Sequence, residues 1–125
     1  MSRRFAAILS IGAAAAALTA AAPAAAHHGW STYGAEDFEL TGTVKEVRLG
    51  NPHDILIVEA DGEEWEVWLS PPSRSRSAGF DENAIAFGDT VTAFGNRKSD
   101  PEIFEMKTRK ITVEGEEYEL YPERL

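Results

Sequence analysis

Three histidines, His27, His28 and His53, carry the most distinctive chemistry open to this chain. His27 and His28 follow directly on Ala24-Ala25-Ala26, and both Ala24-x-Ala26 and Ala22-x-Ala24 are small-residue signatures for a signal peptidase. Cleavage after Ala26 makes His27 the first residue, so that a free α-amine and an imidazole chelate a metal in a small ring. Cleavage after Ala24 puts His27 third, where an amine, two deprotonated amides and an imidazole surround copper(II) or nickel(II). Copper(II) favours such nitrogen donors in square-planar geometry. His28 or His53 then supplies a further nitrogen, so the candidate metal set is His27, His28 and His53. The competing explanations are plain. Adjacent histidines on an arm loosened by Gly29 bind copper weakly in any protein, and His53, after Pro52, caps its loop on a backbone carbonyl.

A second group of residues points to a ligand or partner surface. Trp65 alternates with Val67 and Leu69 and belongs to a core face, whereas Trp68 has the opposite parity. Trp68 is therefore placed either on an outer ligand face or under the Pro71-Pro72 turn. Arg74 and Arg76 interleave with Ser73, Ser75 and Ser77, a basic, hydroxyl-rich patch in an acidic chain. Near a helix start such a patch holds an anion, although pairing with surface acids is the simpler expectation. The acids themselves come in clusters, Glu36-Asp37, Glu63-Glu64 and Glu116-Glu117, with no calcium-loop spacing. They read as a solvated surface. There is no G-x-S-x-G and no phosphate-binding loop.

These residues sit in a chain with two compositional parts. Residues 1–26 hold two arginines, thirteen alanines and no acid. Arg3 and Arg4, the apolar stretch from Phe5 to Ala22 and the small-residue end have the layout of a cleavable secretory signal peptide, with a weak echo of a twin-arginine signal. Their removal takes a 125-residue chain of net charge −9 to 99 residues at −11. A domain of this size has one core. With no cysteine there is no disulfide framework, thiolate zinc site or thiol nucleophile. The negative charge repels phosphates, so nucleic acid is not an expected partner. The expected location is periplasmic or secreted, with no membrane span left after cleavage.

The elements that must position these residues follow from alternation and turn signals. Residues 27–37 are polar and contain glycine, and are expected to form an extended arm that Trp30 and Tyr33 pin to the domain. Phe38, Leu40, Gly42 and Val44 alternate with polar residues as a half-buried strand whose parity slips near Lys45, which predicts a bulge. Asn51-Pro52-His53 lies in a loop. Ile55–Val58 is apolar on both faces, Asp61-Gly62 is a two-residue hairpin turn, and Trp65–Leu69 is the partner strand. Pro71-Pro72 and Gly79 bracket a short helix. Strands over 89–94 and 103–113 follow, then a tight turn at Glu114-Gly115 and an edge strand whose glutamates discourage aggregation. A bent strand, a hairpin, a helix and further strands predict a mainly β, OB-like five-stranded barrel with one short helix and an added C-terminal hairpin over 38–125. A β-sandwich is the alternative.

Three motifs in this order, Ala26-His27-His28, Asn51-Pro52-His53 and Gly88-Asp89-Thr90-Val91-Thr92, resemble a family of small exported bacterial proteins built on a domain of unknown function. Members of that family often carry an aromatic residue soon after the Pro-His pair, where this chain has Asp54 and Ile55. The resemblance implies a periplasmic OB-like barrel and no particular activity. The terminal histidines are also similar to the amino-terminal chelate of some periplasmic copper carriers and copper monooxygenases. The expectation is thus a non-enzymatic binding module, with copper(II) as the candidate ligand. The alternative is a metal-free accessory protein that docks on a larger exported complex. A small copper-dependent enzyme ranks last, because it needs a fixed three-nitrogen site and a substrate surface.

Overall fold

The computed structural model describes residues 28–125; the expected signal peptide and His27 lie outside the described residues, as does the side chain of His28. Two compact units divide at Ser31, and the unit treated below runs from Thr32 to Leu125. The segment expected to be extended begins instead with one helical turn, α1 (His28–Ser31). From Thr32 onward the arm belongs to the second unit and is bonded to it. Gly34 N–H donates to the Arg97 carbonyl at 2.8 Å and Ser99 N–H to the Thr32 carbonyl at 3.0 Å.

β1 (Phe38–Arg48) is long and bent. Its register against β2 (Ile55–Ala60) slips between Val44 and Glu46, so the bulge falls at Lys45 as the parity change predicts. Bending lets one strand serve two partners: Phe38–Thr43 pairs with β4 (Thr90–Arg97), and Thr43–Arg48 with β2. β2 turns into β3 (Glu63–Trp68) through Asp61 and Gly62, whose φ angles of 53° and 83° are those of a primed two-residue turn. α2 (Pro72–Ser77) starts on its proline pair and ends before Gly79, as expected. β5 (Glu105–Val113) and β6 (Glu116–Glu119) form the C-terminal hairpin, and a short 3₁₀ turn spans Pro122–Arg124.

Strand order is β3-β2-β1-β4-β5-β6, with a parallel pairing of β3 to β5 that closes β1 to β5 into a ring and leaves β6 outside it. Inside the ring lie Leu40, Val44, Leu56, Val58, Val67 and Met106, all buried. Trp65, Val67 and Leu69 are buried together, as their shared parity requires. Past α2, Phe80 is fully buried and meets Tyr118 edge-on at 5.5 Å.

β4 runs further than its apolar alternation indicates. It continues through Asn96 and Arg97, expected as loop, because the register shifts between Phe94 and Gly95 and lets these residues pair with Lys107 and Met106. Conversely Ile103 and Phe104, expected in a strand, lie in the β4–β5 loop and are exposed. The shift needs glycine: a Cβ on Gly95 would stand 2.0 Å from the Lys107 carbonyl oxygen. Gly95→Ala should therefore destabilise the domain by about 3 kcal/mol or more. Gly115→Ala, in open space at φ 90°, should cost only about 1 kcal/mol of αL strain. Urea unfolding of the two variants checks the difference, and equal losses would remove the close-approach argument.

Candidate functional site

The β1–β2 loop, Leu49 to Asp54, carries His53 and contains a cis Asn51-Pro52 bond. It is held by Asp54, whose side chain is fully buried. One Asp54 carboxylate oxygen accepts from Gly50 N–H at 2.8 Å and the other from Arg76 Nη1 at 3.2 Å. The Asp54 backbone exchanges bonds with Ser70 and Leu69. Arg76 also donates to the Phe80 carbonyl at 3.0 Å. Arg76 thus does pair with an acid, but with a buried one inside the fold rather than one on the surface. Arg74 behaves as expected: it pairs with exposed Glu123 at 3.1 Å, and its guanidinium lies 4.5 Å from the centre of the Tyr121 ring. Each arginine thus latches a different part of the fold, Arg74 the C-terminal turn and Arg76 the β1–β2 loop.

His53 and Trp68, singled out separately in the sequence, come together, with ring centroids 5.4 Å apart. The His53 Nδ1 atom is buried and makes no hydrogen bond, so the expected cap on a backbone carbonyl does not form there. Burial, and then the Lys107 charge, push the His53 pKa below its ordinary value against the opposing pull of Asp54. Trp68 takes the outward position on β3, with its indole N–H donating to Glu66 at 2.7 Å.

Register then arranges two rows across the outside of β1, β2, β3 and β5. Arg48, Ile55, Trp68 and Lys107 stand side by side, and next to them Glu46, Ile57, Glu66 and Glu105. Ile55, Ile57 and Trp68 are only partly covered, so a short apolar strip runs between charged ends. Arg48 and Glu46 bond to each other at 2.7 Å. At the far end Tyr33 donates to Glu105 at 2.5 Å, and Lys98 lies 3.6 Å from the same carboxylate. Burial and that bond push the Tyr33 phenol strongly up. Tyr33 thereby pins the arm, as expected. Lys107 is nearly buried, and burial followed by the Arg124 charge pushes its pKa down.

Sequence reasoning missed Lys107, Glu105, Glu66 and the two isoleucines as members of one face. Alternation marks each as outward or inward on its own strand, but only the β3–β5 pairing makes neighbours of residues about forty apart.

A second feature lies at the other end of β1. The Arg97 guanidinium packs over Trp65 at 4.7 Å and Phe38 at 5.4 Å, and Trp65 in turn stacks on Phe38 and meets Phe104 edge-on. Two depressions of about 510 and 280 Å³ meet at Phe38 and Arg97.

Among the described residues no three His, Asp or Glu side chains gather into a metal site. His53 has no second imidazole beside it there, and His27 and the His28 side chain lie outside the described residues.

The ring order, with a helix between β3 and β4, defines a small OB-like barrel of the Greek-key kind. Residues 15–106 match the family of unknown function DUF6152, and the chain belongs to that family. No curated protein matches it. Among solved structures it is similar to a chain of the S. pombe Stn1–Ten1 complex, with TM-score 0.51 and 15% identity over 62% of this chain and 57% of that one. TiaS bound to a tRNA and ATP gives TM-score 0.47 at 17% identity over 62% of this chain and 18% of that one. The chain thus spans little more than half of the first of these and a fifth or less of the second. At such identities the likeness is one of fold.

The depressed His53 pKa has a pH consequence. A histidine that protonates less readily folded than unfolded contributes stability present above its unfolded pKa, near 6.5, and lost as pH falls through that value towards the folded one. Proton-detected titration should place the His53 midpoint below 6.5, and His53→Gln should flatten the stability loss that sets in as pH falls below about 6.5. A midpoint above 6.5 would contradict the burial of the ring.

Proposed function

We propose that this protein is a non-enzymatic binding module of the exported space, and that its ligand surface is the outer face of β2 and β3 around Trp68. The observation that carries the reading is the pair of registered rows: a partly covered apolar strip, Ile55, Ile57 and Trp68, bounded by charged residues and walled by His53. Strands 2 and 3 form the surface on which OB barrels engage ligands. A protein partner suits this surface best. Its apolar centre and charged rim have the composition of an interface, whereas the acidic excess disfavours nucleic acid. The Stn1–Ten1 neighbour is itself a chain of a protein complex. Export is supported by Arg3, Arg4, the apolar stretch after them and the Ala-x-Ala sites.

The test uses mature protein with its native terminus as bait in periplasmic extract. A specific partner should be recovered, and Ile57→Glu, with an unchanged circular dichroism spectrum, should reduce its capture by roughly tenfold. Undiminished capture by a folded Ile57→Glu variant, or no specific partner in repeated trials, would overturn the assignment.

The state of His53 favours a second reading, copper(II) binding with the new amino terminus. Burial and then Lys107 lower its pKa, which favours the neutral ring that a metal takes. Mature protein titrated with copper(II) should bind more tightly than micromolar, and His53→Ala should weaken binding by about tenfold. Blocking the α-amine should abolish tight binding. Micromolar or weaker binding, indifferent to His53→Ala, would sink the folded-site version.

A further inference from the structure

We propose that the groove flanking Phe38 and Arg97 docks an extended segment of a partner protein in which lysine or arginine alternates with apolar residues. This surface lies at the start of β1 and on the β4–β5 loop, apart from the Trp68 strip, and the proposal does not depend on the reading above.

The floor of the groove is apolar and held in place. Arg97 Nη2 donates to the Pro101 and Ile103 carbonyls at 2.9 and 3.3 Å while its guanidinium lies against Trp65 and Phe38. One side chain thereby fastens the β4–β5 loop to the barrel. Fastened this way, the loop presents Ile103 and Phe104 to solvent, 42% and 37% exposed. Adjacent exposed apolar residues beside a depression mark an interaction surface more than scattered ones do.

The rim says what the occupant carries. Glu39, Asp61 and Glu63 line the smaller depression and Glu36 the larger. Asp37 is paired with Arg109. Glu36, Glu39, Asp61 and Glu63 take part in no ion pair among the described residues. Arg97 lines both depressions and offsets part of this charge, and Lys98 beside the larger one is paired with Glu105, so four carboxylates against one guanidinium leave the rim negative. A basic side chain matches this rim, and electrostatic complementarity of that kind selects the partner and speeds encounter.

The backbone says how the occupant lies. β1 from Phe38 to Thr41 pairs with β4 on one edge, and its pairing to β2 starts only at Thr43. The other edge of Phe38–Thr41 therefore has no strand partner among the described residues, and it borders the smaller depression. An extended segment adds to such an edge through its main chain, and its side chains then alternate between floor and rim. A second copy of this chain fits poorly, since two acidic rims would face each other.

The experiment maps binding on isotope-labelled mature protein by NMR. The probe is a capped hexapeptide alternating lysine with valine and phenylalanine, and the control replaces its lysines with glutamates. Saturable shifts are expected at Phe38–Thr41, Asp61–Glu63 and Ile103–Phe104, weakening as salt is raised. Phe104→Ala should lower the affinity by about tenfold, and the pair Glu39→Gln with Glu63→Gln by a similar factor. Both changes are on the surface, so the folded spectrum serves as the control for integrity. No saturable binding up to millimolar peptide would overturn the proposal. So would equal binding of the glutamate peptide, shifts confined to the Trp68 face, or concentration-dependent self-association lost in Phe104→Ala.

Discussion

Three residue pairs hold the architecture together: Glu66 with Glu105, Val67 with Met106 and Trp68 with Lys107, where β3 and β5 run parallel. Without this pairing the chain is an open six-stranded sheet with β3 and β6 as edges. With it the sheet closes, Val67 and Met106 are sealed in the interior, and the outward residues of β3 gain neighbours on β5. Parallel pairing requires a long crossover, and here the crossover contains α2, β4 and the loops on either side. The contact is short because each strand leaves the ring soon afterwards. β5 continues along β4 and β6, and β3 ends at Trp68, four residues before the helix begins at Pro72. Closure therefore decides both what is buried and which side chains share the outer face.

That dependence explains what could be read from the sequence. Local rules sufficed for the Asp61-Gly62 and Glu114-Gly115 turns, the proline-started helix, the bulge at Lys45 and the burial of Trp65 with Val67. Each of those is set by neighbours within a few positions. The barrel topology followed from element order, a coarser property than register. The misread elements share a different cause. Ile103 and Phe104 lead directly into the alternating Glu105-Met106-Lys107 and read as its start, yet the strand starts two residues after Ile103, because Arg97 holds their loop through its carbonyls. Asn96 and Arg97 look like loop residues but pair in β4, since Gly95 admits the Lys107 carbonyl. The pairing of Arg76 was foreseen but its partner was not, because burial of Asp54 depends on how the β1–β2 loop meets the segment after β3. His53 and Trp68 were both singled out, while their contact was not deducible, since it depends on the same loop.

Charge is distributed according to the same geometry. Basic residues are few, and most are committed to a carboxylate on a neighbouring element: Lys45 to Glu59, Arg74 to Glu123, Arg109 to Asp37, Lys110 to Glu117. Such exposed pairs add little stability, but they consume the available cations. The surplus acids are left where no basic residue pairs with them. One such place is the tip of the β2–β3 hairpin beside the start of β1, and there the acids border aromatic rings instead of open water. The acidic excess alone indicated only that nucleic acid is a poor partner; its position beside Phe38 and Phe104 gives it a direction.

Both loops at the ends of β1 are fixed by polar groups that only one loop conformation satisfies. Asp54 is fully buried, and its oxygens are met by Gly50 N–H and by Arg76. Arg97 finds the Pro101 and Ile103 carbonyls only when the β4–β5 loop is folded back over the barrel. Removing a partner from a buried charge costs more than the pair gains over an apolar substitute. Such groups therefore act less as sources of stability than as penalties on every other loop arrangement. The loops are consequently ordered before anything binds, and a partner that meets them loses little freedom in arranging them. A barrel this small has few residues to spare for ordering loops without packing them. Two loops are nevertheless held by buried or ring-stacked charges, and each lies beside one of the two surfaces proposed above to bind.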